Sequence, residues 1–278
     1  MTRLSAILRS RFGEPVPVPA ALEDMPALQS IAGRASCRAF APRPVDDDLL
    51  ATLCAVALSA PSKSDLQQRD IVVVDEAAQL AALKGLLAPQ AWIADVPHLL
   101  VFCANNRRQR QLHAWTGRPF LNDHLDAFFN ASVDAGIALA TFVVAAEAAG
   151  LGCCPISTIR NEAAEASRIL ALPDHVFPVA ALALGHPAEA QRPISARLPL
   201  SVSVHRNRFG EEGLREQVAR YDAVRADDAA PADAPQRSVA RFGRAARYGW
   251  IEDKTRQYAL PERTGFGAFV RQKKFDLS

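Results

Sequence analysis

Two guanidiniums, Arg34 and Arg38, flank a hydroxyl within Gly33-Arg34-Ala35-Ser36-Cys37-Arg38-Ala39-Phe40. Positive charge, bidentate donors, the short Ser36 contact and a small Ala35 that admits the backbone are what a phosphate group requires. The same residues also suit a solvated basic turn. A second polar run, Pro61-Ser62-Lys63-Ser64-Asp65-Leu66-Gln67-Gln68-Arg69, sits between a helix stop and an apolar strand. Its hydroxyls, carboxylate and amides suit the edge of a heteroaromatic ring, or an ordinary polar loop. In Gly150-Leu151-Gly152-Cys153-Cys154-Pro155-Ile156-Ser157-Thr158 the glycines permit tight turns, and Pro155, Ile156 and Ser157 can lay apolar surface and backbone amides along a flat ring. Each of these segments, and Arg197-Leu198-Pro199 after them, is also compatible with packing alone.

The elements that must position these segments follow from periodicity. Asp46, Asp47 and Asp48 precede an apolar helix that stops at Ala60-Pro61, with the acidic residues at its positive end. Strands are expected at 71–75, 96–104, 153–157 and 177–185, and helices at 76–87 and 161–170. Residues 121–150 read as one long helix or two in line, apolar on nearly every face from Val133 to Ala149. Such a helix belongs in the middle of a domain or at a subunit interface. The strands are not spaced as regular βαβ repeats, so the expected class is α+β. Residues 1–27 read as a surface extension with a short helix at 4–11 and no assigned chemistry. A main domain is expected over 28–222, and a linker with a basic extension over 223–278.

Composition narrows the classes further. The 278 residues are 49% hydrophobic and 22% charged, with 32 Lys+Arg against 30 Asp+Glu, an ordinary soluble composition. The longest apolar run, Ala135 to Ala146, is too short for a membrane span. Five cysteines without a C-x-x-C pair and six scattered histidines suggest neither a metal site nor a disulfide framework, and place the chain in a reducing cytosol. The adjacent Cys153 and Cys154 read as small buried hydrophobes. Residues 237–278 carry ten Lys+Arg against four acidic residues. There Arg237, Arg241, Arg244 and Arg247 line one face of a possible helix, which admits a binder of nucleic acid or an acidic partner, or a solvated face.

In order and spacing, RASCRAF, APSKSDLQ, the apolar strand IVVV, Gln90-Ala91-Trp92, the long helix ending GLG, PIS and RLP together resemble the FMN-dependent nitroreductase family, in its oxygen-insensitive nitroreductase and flavin reductase subgroup. The resemblance implies a mainly antiparallel sheet flanked by helices, in an intertwined homodimer with FMN as cofactor and NAD(P)H as cosubstrate. It implies that Arg34, Ala35, Ser36, Arg38 and Arg197 hold the FMN phosphate and ribityl chain. Pro61, Ser62, Ser64, Asp65 and Gln67 then contact the ring, normally from the other subunit, and Gln90 contacts ring or ribityl. Pro155, Ile156, Ser157 and Thr158 back the ring. Asp65 stands where the family commonly has Asn, which implies a lowered flavin potential unless Lys63 or Arg69 neutralises it. Ser195 stands where some relatives have Lys. The implied activity passes two electrons from NAD(P)H to a nitroaromatic, quinone, flavin or similar acceptor by a ping-pong route with no catalytic side chain. Dehalogenation, dehydrogenation and flavin-consuming chemistry are alternatives on the same fold.

Overall fold

A computed structural model describes residues 2–189, 193–227 and 236–278. Residues 228–235 of the linker expected at the start of 223–278 lie outside the described residues. Helices in chain order are α1 (Leu4–Phe12), α2 (Pro26–Gly33), α3 (Asp47–Leu58), α4 (Ala77–Leu86), α5 (Arg107–Trp115) and α6 (Leu125–Ala148). They continue as α7 (Ala163–Ile169), α8 (Leu200–Ser203), α9 (Leu214–Asp227), α10 (Val239–Phe242), α11 (Trp250–Tyr258) and α12 (Phe266–Gln272). The strands are β1 (Arg69–Val74), β2 (His98–Asn105), β3 (Gly152–Ile156) and β4 (Val176–Gly185).

The chain divides into two compact units. A sheet unit comprises Ser36–Arg192 and Arg263–Ser278, and a helical unit comprises Met1–Ala35 and Pro193–Glu262. This partition departs from the expected boundaries. The last residues do not belong with the basic extension, because Phe269, Val270 and Phe275 are buried in a cluster with Phe177, Ala131 and Ala135 of the sheet unit. Residues 1–27 group with the helical unit, and Leu4, Ile7 and Arg11, on one face of α1, are buried while most of the segment stays exposed or half-buried.

The sheet has the order β1-β2-β4-β3 and every pairing is antiparallel. Strand β2 is central and buried on both sides, which explains its unbroken apolar run. Its alternate residues feed two cores. Leu99, Val101 and Cys103 pack with Leu83, Ile93, Ile159 and Ala166 on one face. Leu100 and Phe102 pack with Leu53, Ala138, Phe142 and Ala146 of α3 and α6 on the other. Each fully buried Leu or Phe contributes about 1.5–3 kcal/mol. Opposite Pro178 the register shifts between Phe102 and Cys103, because proline has no N–H for the ladder. Caps set the helix starts. The Asp46 carboxylate accepts from Leu49 N at 3.1 Å, and Glu76 accepts from Ala78 and Gln79, each cap being worth about 1 kcal/mol.

Helix α6 is a single helix that begins at Leu125 rather than 121. By length and composition it could cross a membrane, yet Ala127, Ala131, Asp134, Ala135, Ala138 and Phe142 make its inner face a core face of the sheet unit. All five cysteines are thiols. Cys37, Cys103, Cys153 and Cys154 are buried and Cys54 is half-buried. Burial, with a smaller push from Asp70, drives the Cys103 thiol up to about 12 against a lowering influence of Lys273.

Candidate functional site

In the sheet unit, Ser36, Cys37 and Arg38 run beside β3. Cys37 N donates to the Cys153 carbonyl at 3.0 Å, and Ala41 N to His186 O at 2.8 Å. The approach is close enough that a Cβ on Gly152 would meet Cys37 Sγ at 2.5 Å. Glycine is therefore required at 152 because the Cys37 side chain occupies the space a Cβ would take. This contact joins Ser36, Cys37 and Arg38 to the strand that carries Pro155 and Ile156. Strand β3 lies at the sheet edge, with Pro155 and Ser157 exposed and Ile156 buried. Gln90 Nε2 donates to Thr158 Oγ1 at 2.6 Å, which brings that glutamine to the same segment. The Arg38 guanidinium is exposed and lies 5.9 Å from the centre of the Trp92 ring.

The loop before β1 has an unusual backbone. Ser64, Asp65 and Gln67 have φ of 48°, 56° and 50°, in the left-handed region that non-glycine residues seldom occupy. Their side chains are exposed. The loop is held from below by Asp134 of α6, which is 1% exposed. Its carboxylate accepts from Ser62 Oγ at 2.8 Å, Lys63 N at 3.2 Å and Gln68 N at 3.0 Å, and lies 3.7 Å from the buried Arg69 guanidinium. Arg69 also donates to the carbonyls of Leu58, Ala60 and Pro61. The Ser62 hydroxyl is turned inward, donating to Asp134 and accepting from Gln67 N at 2.7 Å, so it closes the loop. Lys63 pairs with Asp126 at 2.9 Å. Both cations that could have neutralised Asp65 are thus engaged elsewhere, and Asp65 accepts from Gln67 Nε2 at 3.0 Å.

In the helical unit, Arg34 follows the end of α2 in extended conformation, with Ala35 buried beside it. Arg197 is exposed and lines a cleft of about 1020 Å³ with Gly13, Glu14, Arg220 and Tyr221. Ser195 accepts from Arg197 Nη1 at 2.9 Å through its hydroxyl. The structure brings Arg34 and Arg197 into one network through Arg11 of α1. That guanidinium, on a residue 5% exposed, donates to the carbonyls of Ala32, Arg34 and Ser195. Arg197 N donates back to Arg11 O at 2.6 Å.

Two organising residues, Arg11 and Asp134, are absent from the expectations of the sequence analysis. Each carried a signal. Arg11 shares a helix face with Leu4 and Ile7, and Asp134 borders the longest apolar run of the chain. A charge on an apolar face is either misplaced or fully partnered. The expected arginine stripe, by contrast, does not form. Helix α10 spans only Val239–Phe242 and ends at Gly243, whose φ of 73° breaks the helix. Arg237 pairs with Asp253 at 2.8 Å. A different residue, the buried Arg256, knits this region by donating to the Arg237 and Gly243 carbonyls and pairing with Glu252.

Comparison with known proteins places this geometry. Residues 31–186 match the nitroreductase family and 195–278 its C-terminal domain. The chain is 32% identical over 202 residues to the FMN reductase [NAD(P)H] of Bacillus subtilis, covering 70% of this chain and 79% of the relative. It is 32% identical over 200 residues to the oxygen-insensitive NADPH nitroreductase of Salmonella typhimurium, covering 71% and 80%. The solved structure of B. megaterium NfrA2 superposes with a TM-score of 0.79 at 30% identity, covering 91% of this chain and 98% of that one.

Proposed function

The chain belongs to the nitroreductase family and works as an FMN-dependent NAD(P)H oxidoreductase, and we propose that it passes two electrons to a nitroaromatic, quinone, flavin or similar acceptor in a ping-pong cycle. The observation that carries this reading is the docking of Ser36–Arg38 on β3 across the bare Gly152, which sets a phosphate-type donor segment beside an exposed strand edge.

The donor chemistry fits the cofactor. By the chemistry of their donors we assign Arg34, Ala35 and Arg197 of the helical unit, and Ser36 and Arg38 of the sheet unit, to the FMN phosphate and ribityl chain. We assign Pro155, Ile156 and Ser157 to the back of the ring, where the segment would lie along that face. Gln90 acts on this segment through Thr158. Pro61, Ser62, Ser64, Asp65 and Gln67 form the loop that meets the ring edge, with Ser62 acting through loop closure. Bound FMN supplies the two-electron chemistry, while the chain supplies position and electrostatics. No side chain is assigned as a general acid.

We assign the functional form as a homodimer. On α6, Leu125, Phe129, Val133 and Val144 are 49%, 60%, 42% and 37% exposed and lie on one stripe opposite the core face. Such a contiguous apolar stripe fits a second copy of the helix. The half-buried and buried thiols agree with a reducing cytosol. The test is direct. The purified protein binds FMN and oxidises NADPH or NADH with a nitroarene or quinone, with parallel double-reciprocal plots, and sediments as a dimer. A folded chain that takes up no FMN overturns the assignment.

A further inference from the structure

We propose that Arg11, in the N-terminal helix, is a positioning residue for phosphate recognition, setting Arg34 and Arg197 from behind. The proposal rests on the FMN reading above.

The argument is one of backbone geometry. Arg34 and Arg197 come from distant parts of the sequence, so for both to serve one phosphate something must fix their main chains. Arg11 does so in three ways. Its Nη2 donates to the Arg34 carbonyl at 2.6 Å, its Nη1 to the Ser195 carbonyl at 2.8 Å, and its own carbonyl accepts from Arg197 N at 2.6 Å. The guanidinium is itself anchored to the end of α2 by Nε and Nη2 bonds of 3.1 and 2.6 Å to the Ala32 carbonyl. A planar fork with five donors can satisfy three carbonyls lying in different directions; an ammonium offers three donors from a single point.

The surrounding contacts make the clamp rigid. Leu4 and Ile7 bury the same face of α1. Leu200 N donates to Glu14 Oε1 at 3.0 Å, and Tyr221 Oη to the Ala196 carbonyl at 3.3 Å, so the 195–200 segment is pinned on both sides of Arg197. The N-terminal helix thereby serves the phosphate end of the cofactor without touching it.

The experiment compares FMN with riboflavin, which has the same ring and ribityl chain but no phosphate. In Arg11→Lys the Kd for FMN rises by about tenfold or more while that for riboflavin stays within about twofold, since only phosphate contacts are displaced. In an Arg197→Ala background the added effect of Arg11→Lys on FMN shrinks. Arg11→Met gives the same selectivity, and the near-ultraviolet signal of the Tyr221–Trp250 ring pair reports that the unit is folded. If Arg11→Met does not fold, Arg11→Lys carries the test. Equal weakening of FMN and riboflavin overturns the proposal, as does an unchanged FMN affinity. A parent protein that binds neither flavin overturns the FMN reading itself.

Discussion

Two buried charges of opposite sign hold the two loop systems. In the helical unit the Arg11 cation gathers carbonyl oxygens; in the sheet unit the Asp134 anion gathers N–H and O–H donors. The conformations they hold differ. The backbone at Arg34 is ordinary extended chain. The loop over Asp134 contains three non-glycine residues in the left-handed region, each costing about 1–3 kcal/mol. Asp134 also faces a buried countercharge, Arg69. A charge that orients an ordinary extended segment costs less to remove than one that restrains a strained loop and faces a buried countercharge.

This contrast is sharpest in stability. Asp134→Ala strands the Arg69 guanidinium and releases three loop donors, so it lowers the unfolding free energy by about 3–5 kcal/mol, measured in denaturant titrations. A loss below 1 kcal/mol breaks the comparison. Arg11→Met leaves carbonyls that lose their donors, a smaller expected loss of about 1–3 kcal/mol in the same assay. Next comes Asp65→Asn. With Lys63 and Arg69 engaged elsewhere, the Asp65 charge disfavours an anionic reduced flavin, so the amide raises the two-electron potential by about 30 mV, a tenfold change in the equilibrium. Spectroelectrochemistry of the two holoproteins decides it, and an unchanged potential removes the role of Asp65.

The smallest expected effect is on pH dependence. His98 Nε2 accepts Val45 N–H at 3.1 Å, so the fold uses the neutral ring. Desolvation lowers its pKa below the ordinary value; Asp75 and Asp47 oppose the shift and His186 adds to it. With the folded pKa below the unfolded one, its contribution is complete above about pH 6.5 and is lost as the pH falls through the folded value. His98→Gln flattens this acid limb in melts taken across the range, and an unaltered limb assigns it to other groups.

Much of the sheet unit was legible in the sequence because its strands are apolar runs bounded by polar residues, and the R-x-S-x-R, P-S and PIS segments occur in a recognisable order. The helical unit was less so. Helices α9 and α11 are polar on most positions, and α10 stops at Gly243 although arginine spacing alone suggested continuation. The homes of the first 35 and last 16 residues depend on contacts with segments far along the chain, which local periodicity cannot register. Arg11 and Asp134 escaped for the same reason. Their significance lies in partners remote in sequence, and a lone charge on an apolar face identifies no partner by itself.

The burial of the cysteines has a practical consequence. Reaction with alkylating agents requires the thiolate, and Cys103, fully buried within β2, keeps its proton to about pH 12. An oxidoreductase of this build holds its central sulfur inert while electrons pass elsewhere. Modification of Cys103 has to wait for the sheet to part, so its labelling rate in the native protein counts opening events. It serves as a stopwatch on the fold, with no residue to be introduced.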